Sequence, residues 1–405
     1  MGKKMSLVFL QGLSILVLVV IILFGITVSA YSARPPGVTD DTINVGLILD
    51  QTGPIANQLV PVTKALKSLF RYTNEQGGIH GRKVTLLVED DRATVPMAIS
   101  AFKKLLYKNG IVSLLGTTTT GACVALMKSI EREKIPVIPT STSDRVVNPL
   151  QRYIFICQDT NAGQMKTIID YIMKDLKAKN PRIGLVGPDN ESGKADLVPG
   201  LERLKLYNLE PVAQEVLGFG SIEATSQVLN MKKANVDYVI IYGSPAQPAM
   251  ILLREMKKFG LKVPVFGVWA TCGEEVLEIG DAANNFYAVS SMASWYDEGP
   301  GVAKMREIIL KYEPGTEKPY RGKANTVGWL MGLVTIEALK RAGRDLDGDA
   351  VVKSLESMNN FDTGGLSGSI SFSPTNHKGG STWKMFKADL SNGKYIPMTE
   401  WRSPK

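Results

Sequence analysis

The stretch IVSLLGTTTTGACVALMKSIEREKIPVIPTSTSD, residues 111–144, decides the fold, because it joins two short apolar segments to two runs of small hydroxyl residues. Residues 112–115 and residues 135–139 have the length and apolar character of buried strands. Between them, apolar residues recur at helical spacing. The stretch therefore predicts a strand, a helix and a second strand, the repeating unit of a parallel α/β sheet.

The two hydroxyl runs lie where the predicted strands end, at residues 117–120 and 140–143. In an open parallel sheet, turns beyond the carboxyl ends of neighbouring strands converge on one crevice. Free N–H groups and the positive end of a helix dipole favour an anion there, and hydroxyl groups add donors without charge. We expect a cradle for a small carboxylate. In the alternative, Thr120 is a helix cap and residues 140–143 form an ordinary polar loop.

The same alternation extends over most of the chain. Residues 42–49 and 84–88 have strand character, and Pro61 suits the first position of the intervening helix. A crossing at residues 158–161 precedes a second alternating series, and no flexible linker separates the halves. The predicted fold class is α/β, with doubly wound parallel sheets. Three further helices are predicted near the end of the chain, at residues 301–312, 325–341 and 348–358.

The first 30 residues have a composition of their own. Lys3 and Lys4 precede an apolar run at residues 7–28, and small residues end the segment at Ala30. This pattern is typical of a secretory signal peptide cleaved after Ala30. The run is also long enough to span a bilayer, so an uncleaved anchor is the alternative.

Charge, cysteine and histidine patterns favour a binding protein over an enzyme. The net charge is +8, but the lysines are dispersed, so nucleic acid is not expected as a partner. The two histidines lack catalytic partners, and no nucleophile elbow, P-loop or zinc motif occurs. We expect no enzymatic activity, cofactor or metal. Three widely spaced cysteines, expected to be buried free thiols, give no disulfide framework: Cys123, Cys157 and Cys272.

Several segments carry a family resemblance by their order and spacing. They are TINVGLILDQTGPIA (residues 42–56), NEQGGIHGRKVTLLVEDD (74–91), VSLLGTTTT (112–120), IPVIPTSTS (135–143), NVDYVIIYG (235–243) and KKFGLKVPVFG (257–267). The chain from residue 42 to its end resembles the type I periplasmic solute-binding proteins of ABC uptake systems. The similarity is closest to the branched-chain amino acid (Leu/Ile/Val) binding family.

The resemblance implies two lobes joined by three crossings that close on one ligand. Lobe one would comprise residues 42–158 and 285–365, and lobe two residues 159–284 and 366–405. The implied protein is an exported, periplasmic monomer that delivers a small carboxylate, such as a branched-chain amino acid, to an ABC permease in the membrane. An aromatic or other non-amino-acid carboxylate is an alternative ligand, and a membrane-tethered ligand sensor is an alternative role.

The resemblance also implies which side chains contact the ligand. In the turn after the third strand, Thr117 and Thr118 would face its carboxylate. The first loop would place Asn57 or Gln58 over the site. The next turn would lie beside the carboxylate and the ammonium, with Ser141, Thr142 and Ser143.

Two positions depart from the family pattern. Relatives that hold α-amino acids have an acidic residue near the position of Trp269, and commonly a tyrosine where this chain has Ser192. Trp269 is therefore interpreted as a wall of the ligand site, which would suit an aliphatic or aromatic ligand body, with core packing as the alternative. A buried ammonium without a counter-charge is costly, so another acid would have to supply it. The candidates from the sequence are Asp189, Glu191 and Asp297.

Overall fold

The computed structural model describes residues 37–315 and 322–404. The predicted signal peptide or anchor, residues 1–30, lies outside the described residues. Within them, the strands form one sheet of four strands and one of seven. No helix of this part of the chain combines the length and apolar character needed to cross a membrane. The predicted α/β class, with two parallel-dominated sheets in two lobes, is confirmed.

Lobe one begins with the four-stranded sheet, in the order β2-β1-β3-β4, and its strand pairs are all parallel. Helix α2 continues as a π-helical turn at Lys104–Asn109. The elements are β1 (Thr42–Ile48), α1 (Ala56–Glu75), β2 (Lys83–Glu89), α2 (Val95–Lys103), β3 (Ser113–Gly116), α3 (Thr120–Glu133) and β4 (Val137–Ile138).

Lobe two contains the next strands and helices, in which β6-β5-β7-β8-β9 form a parallel arrangement. These elements are α4 (Asn161–Asp170), β5 (Ile183–Gly187), α5 (Glu191–Leu206), β6 (Ala213–Val216), α6 (Thr225–Lys233), β7 (Tyr238–Ile241), α7 (Ala246–Lys258), β8 (Val265–Gly267) and β9 (Phe286–Ser290).

The last part of the chain returns first to lobe one and then to lobe two. Three helices pack into the lobe-one core, and two antiparallel strands extend the second sheet beyond β9. The elements are α8 (Pro300–Tyr312), α9 (Ala324–Ala342), α10 (Gly348–Glu356), β10 (Lys384–Asp389) and β11 (Lys394–Pro397).

Apolar strands sandwiched between helices form the core of each lobe. In lobe one, Leu47 and Leu114 of the sheet and Leu66 of α1 are fully buried. Helix α9 approaches α1 closely because Gly328 has no side chain: a Cβ there would lie 2.3 Å from the Val62 carbonyl oxygen. This close packing fixes the helix layer behind β1, whose carboxyl end leads to the cleft.

The first helix starts earlier than the sequence predicts. Helix α1 begins at Ala56, so Pro61 lies within the helix and not at its first position. Proline lacks the N–H that would bond to the Asn57 carbonyl, four residues back, so the first turn of the helix forms without that bond. The consequence is that Asn57 and Gln58 belong to the first turn of a helix.

Two predicted lobe boundaries are wrong. Strand β9 pairs with β8, with Val265 opposite Phe286, so the chain leaves lobe two after Ser290 and not at residue 285. Residues 366–379 remain with lobe one, where Phe361 bridges Ile370 and both Ile370 and Phe372 are part of its core. An apolar segment shows strand character, but it does not reveal which sheet it will join.

Candidate functional site

A cleft between the lobes receives the turns after β3 and β4 from lobe one and those after β5, β7 and β8 from lobe two. It encloses a cavity of about 120 Å³, called here the cleft cavity. The amino ends of α3, α5 and α7 lie at or beside it. An adjoining side cavity of about 310 Å³ shares Gln58, Trp269 and Ala270 with it. Helix amino ends carry partial positive charge, so this environment favours an anion.

The structure brings most of the predicted site residues together. Both lobes contribute, as the two-lobe arrangement requires. The predicted residues that line the cleft cavity are Gln58, Thr118, Ser141, Thr142, Ser192 and Trp269.

Three predicted site residues lie elsewhere. Asn57 lines the side cavity. Thr117 and Ser143 are fully buried and line neither cavity. The Thr117 hydroxyl donates to the Thr119 carbonyl at 3.3 Å, and the Ser143 hydroxyl accepts the Arg145 N–H at 3.3 Å. Local hydrogen bonds satisfy these two hydroxyl groups, so their expected contact with a ligand is not what the geometry provides.

Thr118 lines the cavity, but its N–H and its hydroxyl form hydrogen bonds with protein groups of lobe one. Its hydroxyl donates to Asp91 at 2.6 Å, its N–H donates to the same carboxyl group at 3.2 Å, and its oxygen accepts the Asp50 N–H at 2.7 Å. Burial raises the pKa of Asp91, and the hydrogen bonds from Thr118 offset part of that rise. Thr118 therefore ties together the ends of the lobe-one strands.

The amino end of α3 retains donors for a ligand. The helix cap is Thr119, one residue before the predicted Thr120, and its hydroxyl accepts the Ala122 N–H at 3.1 Å. The hydroxyl groups of Thr120 and Ser141 lie 2.9 Å apart. In the described part of the chain, no protein acceptor is bonded to the N–H groups of Thr120 and Gly121. Two free amides beside a hydroxyl pair match the needs of a carboxylate.

Trp269 forms a wall that connects the lobes. Its indole Nε1 donates to the Thr142 hydroxyl at 3.1 Å, and its backbone N–H donates to Gln164 at 3.0 Å. The Thr142 hydroxyl in turn donates to the Asn161 side-chain oxygen. The side chain is partly exposed to the cleft. The indole therefore gives the cavity an apolar face and holds a polar contact across the cleft.

Asp196 is a cavity-lining acid that the sequence analysis missed. It is 1% exposed, and its oxygens accept from Gln164 Nε2 at 2.8 Å and from the Gly243 N–H at 2.6 Å. Burial raises the pKa of this carboxyl to about 7; the bonds from Gln164, Gly243 and Asn161 oppose the rise, and the charge of Asp144 adds to it. Asp196 is thus a buried group poised to change its charge near neutral pH.

The three acids proposed from the sequence do not line either cavity. Asp189 is exposed. Glu191 forms an ion pair with Arg145 across the cleft, and Asp297 accepts the Ser294 N–H at 3.0 Å.

A sequence signal for Asp196 existed. It lies on the buried stripe of α5, where an acidic residue is unusual and calls for partners. The other members of that stripe are Gly193, Gly200 and Leu204.

Beside the cavities, a second set of contacts joins the lobes. Glu274 of lobe two is fully buried and accepts from the Ser294 hydroxyl and from the Lys323 N–H, both at 2.8 Å. Burial raises the pKa of Glu274 to about 7, opposed by the charge of Lys323 and by the Ser294 bond. The Lys323 ammonium donates to Cys272 Sγ at 2.6 Å, and Gln58 donates to Glu275 at 3.2 Å. These hydrogen bonds join the two lobes in the described arrangement.

Among the described residues, the cysteines and the potential metal ligands form neither a reactive thiol site nor a metal site. The three cysteines are buried and free, as predicted. Burial raises the pKa of Cys123 and of Cys157 to about 12, which makes both poor nucleophiles. Among the described residues, no three or more metal-ligating side chains cluster.

Comparison with known proteins agrees with this architecture. A Leu/Ile/Val-binding protein homolog of Brucella melitensis is 23% identical over 357 residues, 87% of this chain and 93% of the relative. A branched-chain amino acid ABC transporter structure from Thermus thermophilus with bound valine has a TM-score of 0.84 at 23% identity, covering 90% of this chain and 97% of that one. A fatty acid ABC transporter substrate-binding protein from Thermomonospora curvata has a TM-score of 0.82 at 22% identity, covering 91% and 94%.

The family model for the periplasmic binding proteins matches residues 42–394. The chain therefore belongs to the periplasmic binding protein family, as the resemblance implies. At these identities the likeness to the solved structures establishes the fold, while two of those structures have different ligands in their names.

Proposed function

We propose that the protein is the extracytoplasmic substrate-binding component of an ABC uptake system and closes its two lobes on a small carboxylate. The observation that carries this is the cleft cavity, which Thr120 and Ser141 line at the amino end of α3, where the amides of Thr120 and Gly121 have no acceptor among the described residues. The modest cavity volume of about 120 Å³ suits a small solute. The names of the relatives, which include Leu/Ile/Val-binding proteins and a fatty acid binding protein, support a carboxylate ligand.

The proposed cycle couples binding to closure. Contacts made by both lobes to one ligand select the closed arrangement, and the three crossings between the lobes are the hinge. The closed protein then delivers its ligand to a membrane permease. We propose that residues 1–30 direct export and are removed. Because residues 7–28 are apolar enough to span a bilayer, a membrane-tethered ligand sensor is the second candidate role.

A thermal-shift panel tests the binding role. The panel contains aliphatic amino acids, aromatic acids and short carboxylates. A true ligand at a hundred times its Kd should stabilise the protein by about 2.7 kcal/mol. A panel in which no carboxylate raises the Tm overturns the proposal.

Matched variants test the cradle. Ser141→Ala should weaken the best carboxylate by about tenfold, because it removes one donor to a charged group. Thr117→Val is the control, since that hydroxyl lies in the same turn but away from the cavity. Equal losses in titration calorimetry would contradict the assigned donor. Separately, amino-terminal sequencing of the exported protein distinguishes the cleaved form from the tethered sensor.

A further inference from the structure

The cleft cavity offers no free counter-charge for a ligand ammonium. Among its described lining residues, Asp196 is the one charged side chain. Both its oxygens already accept hydrogen bonds, from Gln164 and Gly243, and it is 1% exposed. An ammonium needs several acceptors within direct reach, and the Asp196 carboxyl group, which already accepts from Gln164, Gly243 and Asn161, has little acceptor capacity left for one.

The resemblance places Thr142 beside a ligand ammonium, but the Thr142 hydroxyl already has two hydrogen-bond partners. The Thr142 hydroxyl donates to Asn161 and accepts the indole N–H of Trp269 at 3.1 Å. The indole is a neutral donor that lies where a cationic donor would otherwise be expected. The lobe contact at Thr142 is therefore complete without an ammonium.

A buried hydroxyl group of lobe two has no partner in the described part of the chain. Ser244 lines the cleft cavity, and its hydroxyl oxygen is fully buried and has no hydrogen-bond partner among the described residues. A buried hydroxyl without a partner is unfavourable, so a ligand atom that satisfies it gains affinity. Ser244 directly precedes Pro245, the cap of α7, at a helix amino end that favours an electron-rich atom.

We propose that the ligand is a carboxylic acid with a neutral oxygen, as a hydroxyl or carbonyl group, where an amino acid has its ammonium. This inference rests on the proposed function and names the substrate class of the same site. The carboxylate binds at the amino end of α3, and the second oxygen binds the Ser244 hydroxyl. The ligand body packs on an apolar wall that includes Phe219, Val268 and Trp269.

A series with one carbon skeleton tests the substrate class. Leucine, 2-hydroxy-4-methylpentanoate, 4-methyl-2-oxopentanoate and 4-methylpentanoate differ only at the second carbon, and the corresponding phenylalanine series covers an aromatic body. The hydroxy or oxo acid should bind at least about tenfold more tightly than the amino acid of the same skeleton, because no buried ammonium is left unpaired. Tightest binding of leucine or phenylalanine overturns the inference and leaves the proposed function intact. Binding of none of the eight acids counts against both.

Ser244→Ala locates the second oxygen. The variant should weaken the hydroxy or oxo acid by about fivefold or more and leave 4-methylpentanoate unchanged, because the latter has no oxygen at that position. Equal weakening of every acid contradicts the assigned contact. Ser192→Ala, from the same cavity wall, is the comparison variant, and circular dichroism verifies that both variants fold.

The pH dependence of binding gives an independent readout. The titratable groups around Asp196 are Asp144 and Tyr242, and the pKa of Tyr242 is raised to about 12 by burial and by the charge of Asp196, so Tyr242 stays neutral. A bound carboxylate repels ionised Asp196, so affinity should fall as pH rises through 7. An ammonium-bearing ligand would give the opposite slope and contradict the inference. Asp196→Asn should remove the slope in either case.

Discussion

The Glu274 side chain carries a carboxyl group that is fully buried between the two lobes. Its pKa is raised from 4.5 to about 7, chiefly by burial. Between about pH 4.5 and 7, Glu274 is protonated in the folded protein and ionised in the unfolded chain. Its contribution to stability is therefore complete below pH 4.5 and is lost as the pH rises through 7. The full effect is about 3 kcal/mol in the free energy of unfolding.

We expect Glu274→Gln to remove the fall in the free energy of unfolding between about pH 4.5 and 7, a change on the order of that amount. The glutamine stays uncharged; its oxygen can accept the Lys323 N–H, and its amide nitrogen can donate to the Ser294 hydroxyl, which also accepts. Urea unfolding at several pH values measures the effect, and Glu202→Gln on the exposed face of α5 is the control. Parallel curves for wild type and Glu274→Gln would show that Glu274 does not titrate in this range.

At the scale of single residues, the sequence predicted which turns reach the cleft cavity better than which of their side chains line it. Trp269 and Ser192 lie in the cleft cavity because their positions after strand ends determine that. Thr117 and Ser143 are adjacent to cavity residues, but the side-chain direction in a turn depends on backbone torsions that hydroxyl runs do not encode. The position of Asp196 on the buried stripe of α5 was readable from the sequence, but its hydrogen-bond partners, such as Gly243, lie far along the chain and were not.

At the scale of elements, two adjacent threonines fix the start of α3 in different ways. Thr119 caps the helix, whereas Thr118 connects it to the buried Asp91, which follows strand β2. Thr119→Ala should lower the free energy of unfolding by about 1 kcal/mol, a usual cap contribution. Thr118→Val should cost about 2–3 kcal/mol, because it removes the hydroxyl bond to a buried carboxyl group. Urea denaturation ranks the two variants, and a larger loss for Thr119→Ala would contradict the assigned roles.

Element boundaries were largely predictable because each apolar period is local. Helices α8, α9 and α10 begin and end within two residues of the predicted bounds. Which sheet a strand joins was harder to predict from the sequence. Strand β9 follows lobe two in sequence and pairs there with β8, while the family pattern had assigned it to lobe one. Hydrogen-bond partners between strands are long-range contacts, and a single sequence constrains them weakly.

At the scale of the whole molecule, the lobes meet through contacts of unequal strength. The ion pair between Arg145 and Glu191 is solvent-exposed, with side chains 53% and 39% exposed, and such pairs contribute about 0–1 kcal/mol. The bond from the Trp269 indole to Thr142 lies inside the cleft, where water does not compete as freely. The bond between Trp269 and Thr142 should therefore stabilise the closed form more than the ion pair between Arg145 and Glu191 does.

This difference predicts how two variants affect closure. Trp269→Phe keeps an aromatic wall and removes the indole N–H, so the closed form loses about 1 kcal/mol and ligand affinity falls about fivefold. Arg145→Ala should change affinity by less than about fivefold, because it removes only the exposed ion pair. Small-angle scattering measures closure directly: added ligand should reduce the radius of gyration of wild type and of both variants, with more ligand needed for Trp269→Phe. A radius that does not change with ligand would contradict closure, and a larger effect of Arg145→Ala would reverse the assigned order of the contacts.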